Sequence, residues 1–130
     1  MEQADLEMLS LANQQVEKKQ YRGALELCQK VRIRRGAKPG IYKIASDAFI
    51  GMELFPRAEL MALTALALGE ETIANYVNLS SLAAMRNDQR MARLWLNRAK
   101  RIDANNDSIK QCEDVLFPKG SPRREDNPYQ

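Results

Sequence analysis

Apolar residues recur at helical spacing along nearly the whole chain, and short polar turns interrupt them. Over residues 4–18, Leu6, Leu9, Ala12 and Val16 fall three or four positions apart, with Met8 and Leu11 widening the stripe. After the polar turn at 18–20, the spacing predicts a second helix over 21–34 with Ala24, Leu25, Cys28 and Val31 on one face. Arg34, Arg35 and Lys38 follow where a helix C-terminus favours cations, and Gly36 can take the left-handed conformation that closes a helix. Pro39 suits the first turn of a third helix, which runs to about Met52 and buries Ile41, Tyr42, Ala45, Ala48 and Phe49. Pro56 marks the first turn of a fourth, which continues to Leu68 before Gly69 stops it. A fifth is expected to begin near Glu71 and carries Ile73, Tyr76, Val77, Leu79 and Leu82 on to Met85. Asp88 is the expected N-cap of a sixth, and Ile109, Cys112, Val115 and Leu116 outline a seventh over 108–116. Seven helices in sequence predict an all-α chain.

The helices come in pairs that repeat. Ala24, Ala58 and Ala92 lie one period of 34 residues apart, each early in the second helix of a pair. In that register the units are 5–38, 39–72 and 73–106. Large residues recur early in the first helix, at Met8, Tyr42 and Tyr76, followed three positions on by Leu11, Ala45 and Leu79. Small residues follow at Ala12, Ser46 and Ser80, and a second set lies at Val31, Ala65 and Ala99. An aromatic precedes the second helix as Tyr21 and Phe55, with Gln89 in the third unit. This pattern resembles the tetratricopeptide repeat (TPR) family. The chain departs from it in two places. The family's turn glycine is Lys19, Glu53 and Asn87 here, and its closing proline is Gly36, Glu70 and Ala104.

The resemblance implies an α-solenoid, a right-handed superhelix of three TPR units with a capping helix over 107–117. Residues 1–117 would form that domain. Residues 118–130 contain three prolines and charges of both signs, with almost nothing to bury, and predict a disordered tail. Small residues let neighbouring helices approach, so a large polar side chain at an interhelical alanine would be costly. Each Leu-sized side chain buried is worth roughly 1.5–3 kcal/mol.

Composition narrows the chemistry. The residues are 45% hydrophobic but only 6% aromatic, which predicts an aliphatic core, and Trp95 is expected to pack in it. The net charge of +3 is too small to argue for nucleic acid, and no aromatics interleave with the basic residues. The sequence contains no histidine, so neither a His–Cys zinc site nor His-based catalysis can be built. No cofactor or metal is expected. Cys28 and Cys112 sit inside apolar patterns and predict buried, reduced thiols. Glu70–Glu71 and Glu125–Asp126 are neighbours in sequence, which is not a catalytic geometry, and residues 34–40 lack the glycine spacing of a phosphate loop. The acidic N-terminal residues are unlike a signal peptide, and the longest apolar run, over 60–69, is too short to span a bilayer. The expectation is a cytoplasmic, non-enzymatic protein without membrane insertion.

Function is then left to surfaces. The resemblance places on the concave side Leu9, Asn13, Val16 and Glu17 of the first unit, Lys43, Asp47 and Ile50 of the second, and Val77, Asn78 and Ser81 of the third. Such a groove of mixed character suits a peptide or helical segment of another protein with apolar anchors. An adaptor, assembly factor or chaperone, for example of a bacterial secretion or pilus system, is the implied role. Relatives that clamp the C-terminal carboxylate of heat-shock chaperones carry a basic and amide set. Those positions hold Leu9, Asn13, Ile44, Ala74 and Asn78 here, so only Asn13 fits. Two alternatives remain open: self-association as a homodimer or scaffold, and an acidic partner on the basic face of Lys30, Arg32, Arg34, Arg35 and Lys38.

Overall fold

The computed structural model describes residues 2–118; the expected tail, apart from Pro118, lies outside them. Among the described residues there are seven helices and no strand. They are α1 (Gln3–Glu17), α2 (Tyr21–Arg35), α3 (Pro39–Gly51), α4 (Phe55–Ala67), α5 (Ile73–Met85), α6 (Gln89–Ile102) and α7 (Asp107–Leu116). The chain divides into two compact units that part between Glu71 and Thr72. No helix among them is long and apolar enough to cross a membrane.

In the first unit α1 packs on α2, α2 on α3, α3 on α4, and α1 also touches α3. Its core joins Ala12, Ala24, Cys28, Val31, Ile41 and Ile44, with Ala58, Ala62 and Ala65 of α4 fully buried. In the second unit α5 packs on α6 and α7. Tyr76, Leu79, Trp95, Leu96, Ala99 and Ile109 are buried there, as the expectation for Trp95 required. All three period-setting alanines have no exposed surface.

The small positions do more than allow close approach. Ser46 Oγ donates to the carbonyl of Ala58 at 2.8 Å, and Ser80 Oγ donates to that of Ala92 at 2.7 Å. The same bond thus ties the first helix to the second in two of the 34-residue units. The first unit has Ala12 opposite Ala24 and lacks the hydroxyl.

The turns inside the pairs hold Lys19, Glu53 and Asn87 at φ 62°, 59° and 62°. The backbone is left-handed at all three turns, a conformation that asparagine tolerates and that lysine and glutamate do not favour. Gly36 closes α2 with φ 77°, and its N–H donates to the Arg32 carbonyl at 2.7 Å.

Four expectations need correction. The cap of α5 is Thr72, whose side chain accepts from Asn75 N–H; Glu71 lies outside the helix. In α1 the buried face runs through Asp5 and Ala12, leaving Leu6 and Leu11 nearly half exposed at its two edges. Asp5, a carboxylate, is fully buried where an apolar stripe was expected. Val115 is 76% exposed, because Ile109 and Cys112 set the buried face of α7. The expected cap at Asp88 does form and accepts from Met91 N–H, and that bond chiefly holds the Asp88 carboxyl below its ordinary range.

Candidate functional site

In the first unit the candidate residues lie on α1 and α3. Leu9 and Val16 are half-buried and pack against the core cluster, while Asn13 and Glu17 are exposed. On α3, Lys43 Nζ meets Asp47 Oδ2 at 2.5 Å across one turn, both side chains half-buried. Their charges cancel, so this stretch, with Ile50 beside it, offers a polar surface of little net charge. Pairs at this spacing add only about 0.3–0.5 kcal/mol, so the ion pair constrains geometry more than it stabilises the helix.

In the second unit Val77, Asn78 and Ser81 are half-buried on α5. Val77 and Ser81 border a cleft of about 350 Å³ whose other wall is Ser108, Gln111, Cys112, Val115 and Leu116. Ser81 Oγ lies 3.6 Å from Cys112 Sγ, so Ser81 is engaged by the capping helix. The α7 wall was absent from the sequence-based set. Its signal in the sequence is the helical spacing of Ser108, Cys112 and Val115, which predicts a helix and not a cleft beside it.

The thiols are poor nucleophiles. Burial pushes the Cys28 thiol up to about 11, and burial also raises Cys112, against the opposing hydrogen bond from Ser81. Both are free and buried.

The basic face is partly consumed inside the fold. Arg35 Nε donates to Asp5 Oδ2 at 2.5 Å and its terminal nitrogen reaches Glu2 Oε2 at 2.8 Å. Arg34 Nε sits 3.6 Å from Asp5 Oδ1. The N-terminal turn of α1 is thereby tied to the last turn of α2. Lys30, Arg32 and Lys38 stay exposed.

No family model matches the sequence. No curated protein matches it either. Solved structures do match by shape. The Arabidopsis OM64 TPR domain superposes with a TM-score of 0.77 at 19% identity, covering 89% of this chain and 96% of that one. The first TPR of Spaghetti (RPAP3), bound to the HSP90 peptide SRMEEVD, gives 0.77 at 16% identity, covering 86% and 89%. The Yersinia enterocolitica type III secretion translocator chaperone SycD, in an alternative dimer, gives 0.75 at 13% identity, covering 89% and 88%. The chain has the tetratricopeptide repeat fold. Within this TPR fold Ile44 is a core residue, only 7% exposed, and Leu9 packs on the same core. These two of the five clamp positions therefore serve packing.

Proposed function

We propose that this protein is a non-enzymatic interaction module that holds a segment of a partner protein, with candidate contact residues on α1 and α3 in the first compact unit and on α5 in the second. In the first unit Asn13 and Glu17 of α1 and Lys43, Asp47 and Ile50 of α3 are the contact residues, with Leu9 and Val16 lying between them and the core; in the second, taken by itself, they are Val77, Asn78 and Ser81 of α5. The observation that carries the reading is the cleft between α5 and α7, where apolar Val77, Val115 and Leu116 alternate with polar Ser81, Ser108 and Gln111. An apolar anchor can be buried there while the segment's backbone finds hydrogen-bond partners. Neighbours of the same fold support the class of function: one was solved with a peptide and another is a chaperone. The uncharged residues at Leu9, Ile44 and Ala74 make an acidic C-terminal peptide a poor fit. The segment is expected to be mainly apolar, and the protein to serve in the cytoplasm as an adaptor, assembly factor or chaperone.

Photo-crosslinking in the native cell tests this. A benzoyl-phenylalanine placed at Val115, which is 76% exposed at the cleft, is expected to trap a partner. The same group at Ile33, 73% exposed on α2, is expected to trap none. Adducts at Ile33 and none at Val115 would move the site to the basic face. Adducts only with a second copy of the chain would favour the self-associating scaffold.

A further inference from the structure

The repeat register pairs Met61 with Trp95 and Tyr42 with Tyr76, each 34 residues apart. In the second compact unit the Trp95 indole lies on Tyr76, ring centroids 5.9 Å apart and planes 24° from parallel. Arg98 sits over the indole at 5.2 Å. The first compact unit has a methionine where that indole would be. Beside Tyr42 it has a pocket of about 420 Å³, lined by Leu25, Cys28, Arg32, Tyr42, Phe49 and Met61 among others. The volume falls within the range of small-ligand sites.

The rim is cationic. Arg32 lines the pocket and, among the described residues, has no carboxylate partner; its side-chain bond is to Gln29 at 3.4 Å. Arg57 is exposed one helical turn before Met61, on the same face of α4. Helical spacing puts Lys43, Asp47 and Ile50 on a different face of α3 from Tyr42, Ala45 and Phe49, and none of the three lines the pocket. This pocket is therefore separate from the faces assigned above.

We propose that the pocket is a docking site for an aromatic side chain, flanked by a carboxylate, on a partner segment. The chain's own third repeat defines the occupant, because an indole fills the matching position there and stacks on the matching tyrosine. Tyr42 and Phe49 offer ring faces and edges for offset stacking, and an aromatic side chain buries 150–250 Å² of its own surface in such a site. Arg32 supplies from α2 the cation that Arg98 supplies to Trp95, and pairs with the flanking acid. The thiol of Cys28 serves as apolar wall.

The test titrates the isotope-labelled full chain with two blocked tripeptides, Asp-Trp-Asp and Asp-Ala-Asp, followed by amide NMR. The tryptophan peptide is expected to shift resonances around Arg32, Phe49 and Met61, with a Kd on the order of millimolar for a single anchor. The alanine peptide should bind at least about tenfold more weakly, the scale of a lost buried aromatic. Met61→Trp should fill the pocket from within, keep or raise Tm, and weaken the tryptophan peptide at least about tenfold. Arg32→Gln, at an exposed position, should weaken it about fivefold. Should Met61→Trp fail to fold, the charge variant decides alone, and undiminished binding overturns the proposal. Absence of shifts, equal response to both peptides, or shifts confined to α5 and α7 would overturn it too. The last outcome would leave the α5–α7 cleft as the binding face.

Discussion

Ser46 and Ser80 occupy positions where the repeat demands only a small side chain, yet each hydroxyl makes a buried bond to the facing helix. A neutral hydrogen bond of this kind is worth about 1 kcal/mol net. Ser46→Ala and Ser80→Ala are each expected to lower stability by about that amount in urea denaturation, with the m-value unchanged. Ala12→Ser tests the same logic in the unit without the bond. Ala12 is fully buried, so the added hydroxyl must find the Ala24 carbonyl or destabilise. The left-handed turn residues give a second prediction at this scale. Glu53 stands at φ 59° and Asn87 at 62°, and asparagine tolerates that region far better than glutamate. Glu53→Asn is expected to stabilise by about 0.5–1 kcal/mol and Asn87→Glu to destabilise by a similar amount, both measured as shifts in urea midpoint. Equal midpoints in all three proteins would show that the turns carry no strain.

Among elements, the junction of α1 and α2 is the one the hydrophobic pattern could not foretell. Periodicity ranks positions by apolar character, so it discounted Asp5, whose burial depends on guanidinium groups thirty residues away in the chain. The period of 34 residues, by contrast, was legible because packing alone sets it, and it placed the helices to within a residue or two. The register begins its third unit at Ile73, and α5 starts there, although the charge of Glu71 suggested an earlier helix start. The pocket beside Tyr42 was not legible, since a spacing pattern says which face is buried and not whether Met61 fills the space under it. The α1–α2 tie is itself testable. Arg35→Ala would leave Asp5 buried with only Arg34 nearby, at 3.6 Å, and is expected to cost about 2–3 kcal/mol. Asp5→Ala should cost less, because the Arg35 side chain is 29% exposed and the freed guanidinium can turn to water. A larger loss from Asp5→Ala would mean that the site is held by packing and not by charge.

At the scale of the whole molecule, each compact unit carries one buried cysteine, Cys28 in the first and Cys112 in the second. Thiol labelling therefore reports on the opening of one unit at a time. With its pKa raised from 9.0 to about 11, folded Cys28 is thiolate at pH 8 about 100-fold less often than an unfolded thiol. Its labelling at that pH should be slower than in urea by at least this factor, even before burial limits access. The same shift links stability to pH. The folded state holds the thiol proton more tightly than the unfolded state, so this contribution is intact below about pH 9 and is lost as pH rises through 11. Cys28→Ala should flatten that alkaline decline. The sharpest use of the thiols is to check the repeat register. Ala58 and Ala92 have no exposed surface, so an arginine at either overpacks its helix pair and buries an unpaired charge. Ala58→Arg is expected to label Cys28 at the unfolded rate, and Ala92→Arg to do the same for Cys112. Wild-type protection in either variant, with wild-type helicity, would place the alanine on a helix face open to water and break the 34-residue register at that unit.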